Sequence, residues 1–397
     1  MPVTESSAAG FLSRARAVSE AVALARAGVF MLSLPQIRTF RSAYGRSSGC
    51  KRLIVVRLED ADGITGWGEA PVSERPLYGA DTAESTWSAL TDLLLPPLLG
   101  ATFAGPAAVA ATWAGIIGQQ YAKNAIETAA WAITSARLGV PLAQLWGGTR
   151  DAVPVGESFP IHDSTGALLD EVGARVAEGF GRIKLKIAPG WDVAPARAMI
   201  EAFPGLPVSV DANCGYAAGD PVFAELDELG LLMIEQPLAG DALLDMAGLQ
   251  QSLRTPLCLD ESASSVNTTR TALALTAGRI VNIKPPRLGG ILPAIAVHDL
   301  CGDQQVPVWC GGMLETGIGR GFNLALAALP GFTLHSDMSP ARMFYAHDLV
   351  DPTFDIRPDG LIAVPARAGN GFPVVPERVA DACVRSWDSD GGASAAP

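Results

Sequence analysis

The sequence has no cysteine pair at metal or redox spacing, no basic excess and no long uncharged apolar run, and each lack removes a class of function. Its six cysteines (Cys50, Cys214, Cys258, Cys301, Cys310, Cys383) are scattered without a CxxC. In a chain of 397 residues that is no disulfide framework, and a reducing, cytoplasmic setting is the expectation. A formal net charge of −12 argues against a nucleic-acid surface, which needs concentrated Lys and Arg. No apolar run reaches the roughly 18 residues needed to span a bilayer. Arg14, Arg16, Glu20 and Arg26 interrupt every apolar stretch before Val29, so neither a membrane partner nor a signal peptide is expected. The same acidity would repel an anionic substrate unless a local cation offset it.

What is present reads as a globular enzyme. The composition, 49% hydrophobic and 18% charged, suits one large barrel plus a smaller domain. Residues 1–27 read as an Ala-rich, helix-prone extension, and 386–397 as a disordered tail. A hairpin-like pair, Leu53–Leu58 and Gly63–Glu69, precedes Ala-rich helical segments up to Leu138, an α+β pattern. Beyond position 150 short apolar runs recur, each followed by a helical stretch. The polar residues near their ends, Lys186, Asp211, Glu235, Asp260 and Lys284, are spaced 25, 24, 25 and 24 apart. Further steps of 25 reach Trp309 and Leu334, and a step back of 28 reaches Ser158. Eight strand candidates at one period favour a closed parallel β/α barrel over an open doubly wound sheet.

Barrel strands are buried on both faces and normally read as unbroken aliphatic runs. Five of these carry charges at their C-terminal ends (RIKLKI, VSVDAN, LMIEQP, LCLDES, VNIKPP), the end where β/α barrels place their chemistry. Alternation along a strand puts Lys184 and Lys186 on one face of theirs, and likewise Asp211 and Asn213, so the charges converge inside the barrel mouth. Only five of the 29 basic residues are lysines (Lys51, Lys123, Lys184, Lys186, Lys284), yet three of them lie on barrel strands. Lysine, unlike arginine, can give up its proton when its environment demands it, so the pattern points to proton transfer. Asp211, Glu235 and Asp260 on successive strands would repel one another without a cation, and an oxygen-only set selects Mg²⁺ or another hard divalent ion such as Mn²⁺. A structural ion-pair network is the alternative reading of the same residues. A metal here would neutralise a substrate carboxylate and stabilise the enediolate left when the α-proton departs. Lys184 beside Lys186 is expected to lower the pKa of the base by like-charge repulsion, with Lys284 approaching from the far side of the metal ligands.

These residues, together with the K-x-K of RIKLKIAPGWD, VNIKPPRLGG and PVWCGGMLETGIGR, resemble the enolase superfamily, muconate-lactonizing subgroup. Within it they are most similar to o-succinylbenzoate synthases and N-acylamino acid (N-succinylamino acid) racemases, over about residues 28–385. The resemblance implies a modified TIM, (β/α)8-type barrel at 151–350, with an α+β capping domain at 28–150 completed by residues 351–385. It implies Lys186 as acid/base on one face, Lys284 as its counterpart or as a cation near the substrate, and Lys184 as the tuning residue. Ser158, Asn213, Gly311, Gly312 and Met313 would line the substrate pocket, with Tyr78 reaching in from the cap. Gly311 and Gly312 read equally well as a tight strand end, and Trp67 reads as cap packing. Family members with a histidine base carry it on the seventh strand, and VPVWCGGM has none. His335, at the end of the eighth strand candidate, is a possible substrate contact, and His298 reads as a surface or core residue. The activities implied are dehydration to o-succinylbenzoate in menaquinone biosynthesis, a lyase reaction, or racemisation of N-acylamino acids, an isomerase reaction. A homo-oligomer acting on a small-molecule carboxylate is implied as well.

Overall fold

The computed structural model describes residues 9–46 and 49–395; the first eight residues of the expected extension and the last two of the tail lie outside it. Helix α1 (Ala9–Ala17) is followed by the cap strands β1 (Val22–Pro35), β2 (Cys50–Asp60) and β3 (Thr65–Ala70), which form an antiparallel sheet. The long helix α2 (Gln120–Leu138) lies across β3 and ends on Gly139 in the left-handed conformation. β1 begins six residues earlier than the cap's expected start at 28.

Gly66 and Gly68 explain how closely β3 and α2 approach. A Cβ on Gly68 would stand 1.9 Å from the Ala125 carbonyl oxygen, and one on Gly66 2.1 Å from that of Ala129. The strand therefore lies directly on the helix backbone, while Trp67 between them turns to the other face, into the main core. Gly68→Ala is expected to cost about 3 kcal/mol, because neither backbone can yield without disturbing the cap core. A melting temperature unchanged from wild type would show that this contact relaxes freely.

Eight parallel strands follow: β4 (Ala152–Phe159), β5 (Ile183–Lys186), β6 (Val208–Asp211), β7 (Ile234–Glu235), β8 (Leu257–Leu259), β9 (Ile280–Ile283), β10 (Val308–Cys310) and β11 (Ser336–Asp337). They pair in sequence order, β11 returns to β4, and a single bridge between Val308 and Phe332 links the two remaining ends. The eighth strand is followed by one 3-10 turn, Ala341–Met343, where the other seven have α-helices. Aliphatic residues facing the helices form a continuous core, and Met233, Cys258, Ile280 and Trp309 fill the barrel floor.

The tail departs from expectation. Residues 386–388, read as disordered, complete β12 (Cys383–Asp388), and residues further along the same tail form β13 (Gly392–Ala395); the two extend the cap sheet in the order β13-β12-β1-β2-β3. β12 pairs with β1 from Gly28↔Asp388 to Leu32↔Cys383. The open edge of β1 supplies hydrogen-bonding partners that the tail's composition does not advertise.

Two cap carboxylates fasten the cap to the barrel. Glu69, at the end of β3, accepts hydrogen bonds from the Thr316 amide (3.1 Å), the Thr316 hydroxyl (2.7 Å) and the Gly319 amide (3.0 Å), at the start of the helix Gly317–Ala327. Glu127 on α2 accepts from the Leu292 amide (2.9 Å), at the start of the helix Ile291–Asp303. Each places a carboxylate at a helix N-terminus, where unpaired amides and the helix dipole favour it.

Candidate active site

The register of the parallel strands builds the site. Lys186 lies level with Asp211, and Asp211 level with Glu235, so three charged side chains from β5, β6 and β7 share one rim at the C-terminal ends. Asp260 follows directly after β8, and Lys284 directly after β9. Lys186 Nζ donates to Asp211 Oδ2 at 2.5 Å, and Lys284 Nζ to Asp260 Oδ2 at 2.8 Å. Lys184, 2% exposed, lies between them and deeper. Its Nζ is 3.4 Å from Asp211, 2.9 Å from Glu235 and 2.7 Å from Asp337, and 4.7 Å from the centre of the Trp309 ring.

Charge balance decides the ionisation of these groups. Burial alone would favour neutral lysines, but Asp337, Glu235 and Asp211 outweigh it around Lys184 and hold its pKa above the ordinary lysine value. Asp260 and Glu235 do the same for Lys284. Each of these two lysines has more carboxylates than cations around it. Burial raises Asp211 and Asp260 too, but Lys186 and Lys184 hold the first below the carboxylate range, and Lys284 and Arg287 the second. Glu235 goes the other way: burial, then repulsion from Asp211, pushes its carboxyl up to about 8.

Glu235 also provides the test of whether this set suits a divalent cation. Its Oε1 accepts from Asn282 Nδ2 at 2.7 Å, and the buried Oε2 makes an ion pair with the Lys184 ammonium at 2.9 Å but has no hydrogen bond of good geometry. Burial and repulsion from Asp211 and Asp260 outweigh the lysines near this carboxyl, so the rim is short of positive charge. In donor type and charge the three carboxylates fit a hard divalent ion. Among the described residues, no three His, Cys, Asp or Glu side chains already meet at a metal's distance, since each of these carboxylates is turned toward a lysine, an arginine or an amide.

The other expected residues fall around this rim. Ser158 stands level with Lys184 on the neighbouring strand, its hydroxyl buried and unpartnered. Asn213 turns with φ +43°, donates from its amide to Asp211 Oδ1 (3.0 Å) and from its side chain to Glu261 (3.3 Å), and leaves its own Oδ1 unpartnered. Tyr78 reaches in from the cap and donates to Asp260 Oδ1 at 2.6 Å, with the Lys284 ammonium 4.6 Å from its ring centre. Gly311 is pressed against Lys284 Cε and Asn282, where a Cβ would lie within 2.5 Å of both. Gly312 meets Arg320 instead, and Met313 packs into the cap core, its sulfur 3.8 Å from the Tyr121 hydroxyl. The CGGM stretch therefore splits: one glycine at the lysine, and two residues serving the fold.

Several site residues escape sequence reasoning. Asp337 holds Lys184 and pairs with the buried Arg182; a step of 28 from Trp309 reaches it, where the regular step of 25 stops at Leu334. Arg287 pairs with Asp260 and donates to Tyr78 (3.1 Å), the Ala263 carbonyl (2.8 Å) and the Asn282 carbonyl (2.5 Å). From the cap, Tyr44 donates to Glu261 at 2.5 Å and meets Tyr78 edge to face. His335 precedes β11 and lies against Gly181, before β5, at the N-terminal end of the barrel; it is no substrate contact. His298 is buried, between Asp299, Phe332 and Phe11 of α1.

Known proteins share this architecture. Residues 167–378 match the family model "Enolase C-terminal domain-like", and 28–147 match "Mandelate racemase / muconate lactonizing enzyme, N-terminal domain". The chain is 43% identical over 325 residues to an o-succinylbenzoate synthase of Geobacillus kaustophilus, covering 82% of this chain and 86% of that protein. It is 42% identical over 351 residues to an N-succinylamino acid racemase of Amycolatopsis, covering 87% and 94%. A crystal structure of an enolase superfamily member from Listeria innocua superposes with a TM-score of 0.88 at 32% identity, covering 92% of this chain and 99% of that one. Among the described residues, no helix is long and apolar enough to cross a membrane.

Proposed function

This chain belongs to the enolase superfamily, whose mandelate racemase and muconate-lactonizing members are generally divalent-metal dependent, and from that footing we propose that it removes the proton α to a substrate carboxylate. The observation that carries the reading is the pair of lysines, Lys186 and Lys284, on opposite sides of the Asp211, Glu235 and Asp260 rim. Those three carboxylates would hold the metal, Mg²⁺ being the best fit to an oxygen-only set. When bound, the cation supplies positive charge for the substrate carboxylate and for the charge that builds on it as the α-proton leaves.

The chain's own residues divide the rest. Lys186 takes the α-proton from one face of the substrate. For o-succinylbenzoate synthesis from 2-succinyl-6-hydroxy-2,4-cyclohexadiene-1-carboxylate, the C–O bond then breaks with its electron pair. The Lys186 ammonium returns a proton to the departing hydroxide, releasing water. Lys184 and Asp337 fix the position of the Asp211 and Glu235 carboxylates, and the Trp309 floor keeps water from below. Dehydration needs one acid/base, whereas inversion at an α-carbon needs one on each face. Lys284, beside Asp260 across the rim from Lys186, would donate from the second face, and that arrangement supports racemisation of N-succinylamino acids as a second activity of the same site.

The test is loss of the cyclohexadiene absorbance with Mg²⁺ and again with EDTA, followed by α-proton exchange of N-succinylphenylalanine in D₂O. Fast, EDTA-sensitive turnover in the first assay supports the lyase, and exchange in the second supports the racemase. Inertness in both would sink the proposal.

A further inference from the structure

The joint between cap and barrel encloses a small cavity apart from the metal rim. Its volume is about 10 Å³, room for one water-sized sphere. Glu69 at the end of β3, Asn124 and Thr128 on α2, Pro285, Pro286 and Glu315 surround it. Its wall is rich in oxygen acceptors. The Asn124 side chain is 4% exposed, and its Nδ2 donates to the Glu69 carbonyl at 2.9 Å, which fixes the orientation of the amide. That leaves Oδ1 buried and without a partner among the described residues. The Thr128 hydroxyl gives its one proton to the Asn124 carbonyl (2.7 Å), so it has only lone pairs to offer. Pro285 and Pro286 have no amide proton at all.

The two carboxylates are unequally compensated. Glu315 accepts from the Met313 amide (2.8 Å) and from Asn323 Nδ2 (3.0 Å), and it pairs with Arg320 at 3.3 Å. Every donor on Glu69 is neutral: the Thr316 amide and hydroxyl and the Gly319 amide. Burial foremost, with repulsion from Glu315 added, pushes the Glu69 carboxyl up to about 8. Lys51 feels both carboxylates, but its ammonium is spent on the carbonyls of Pro71 (3.1 Å) and Val72 (2.9 Å), and burial lowers its pKa to about 8. One buried carboxylate at this joint therefore has no cation in contact with it among the described residues, and an orphan amide oxygen lines the same small space.

We propose that this cavity is a site for one dehydrated monovalent cation of sodium's size, held by the Glu69 and Glu315 carboxylates, the Asn124 side-chain oxygen and the Thr128 hydroxyl. Carboxylate, amide and hydroxyl oxygens are the donors a hard cation takes. A single positive charge answers the one carboxylate that lacks a counterion. Mg²⁺ does not fit, because it gives up its waters reluctantly and one sphere leaves no room for them. A water molecule could satisfy Asn124, but it would leave the charge on Glu69 uncompensated. Pro285 and Pro286 directly follow Lys284, so the cation ties β3 and α2 of the cap to the segment that carries this lysine. It holds the joint and touches no substrate, and the inference stands apart from the α-proton chemistry.

Thermal melting of the intact protein in saturating MgCl₂, with NaCl or choline chloride at equal ionic strength, tests this. NaCl at about ten times its dissociation constant is expected to raise the melting temperature by about 2 °C, saturably, over choline chloride, whose cation is too large to enter. In N124L, which keeps both carboxylates and loses the orphan oxygen, the sodium effect should fall to less than half of that. T128V, which removes only a hydroxyl, should move the half-effect to higher NaCl and keeps the test open if N124L fails to fold. Equal melting of the wild type in the two salts overturns the proposal, and so does a sodium effect that the folded variants keep in full. A crystal grown from NaCl decides between the cation and water. Oxygen contacts in the cavity shorter than a hydrogen bond mark the cation, whereas contacts of hydrogen-bond length mark a water and overturn the site.

Discussion

Lys186→Ala is expected to lower kcat by about three to four orders of magnitude, the range that a positioned general acid/base contributes. The effect should be confined to the chemistry. Lys186 is 13% exposed at its side chain and makes a single ion pair, with Asp211, which Lys184 also holds, so its loss leaves no carboxylate stranded. Mg²⁺ binding by calorimetry should therefore survive in the variant, and its melting temperature should stay within a few degrees of wild type. Both lyase and racemase turnover should fall together, since the same Nζ serves each. Retention of more than about a tenth of wild-type kcat would remove Lys186 from the mechanism.

Lys184→Met should have the opposite profile, a loss of stability before any question of rate. Lys184 is buried among Asp211, Glu235 and Asp337, and it is the only lysine within reach of all three. Deleting one partner of a buried ion-pair cluster typically costs about 3–5 kcal/mol, because the charges left behind have lost their compensation. For a chain of this size that corresponds to a melting temperature lower by roughly 5–10 °C. A divalent cation among the same carboxylates would replace the missing charge, so saturating MgCl₂ should restore more stability to the variant than it adds to wild type. A variant that melts with wild type, or that ignores Mg²⁺, would mean that these carboxylates neither depend on Lys184 nor share a cation.

The positions of the rim charges were legible because the period was. A constant step of 24 or 25 placed Lys186, Asp211, Glu235, Asp260 and Lys284 at equivalent points on successive strands, and the structure finds them along one rim. The step failed where the chain lengthened: the turn around Pro330 and Gly331 delays the eighth strand to Ser336, so Asp337 was passed over. Arg182 and Arg287 were missed for a different reason. In a chain that uses arginine for ordinary positive charge, an arginine carries no sequence signal, although Arg287 turns out to hold Asp260 and Tyr78 together. Tyr44 and Glu261 meet across the boundary between cap and barrel, and no periodicity within either half relates them. Lys184 was considered only as a neighbour of Lys186; that Asp337, Glu235 and Asp211 hold its own pKa up depends on contacts between strands that its spacing from Lys186 does not reveal.

The pairing of β12 with β1 sets an order of events during synthesis. Ser389 accepts a hydrogen bond from the Ala27 amide across 362 residues of chain. A nascent chain can fold the hairpin of β2 and β3 early, but one flank of β1 has no partner until the whole barrel has left the ribosome. At about 5–20 residues per second, that flank waits on the order of half a minute as an exposed strand edge. Such non-local closure makes for slow final assembly, and until it is complete β1 offers any neighbouring chain the same row of amides and carbonyls that β12 will eventually cover.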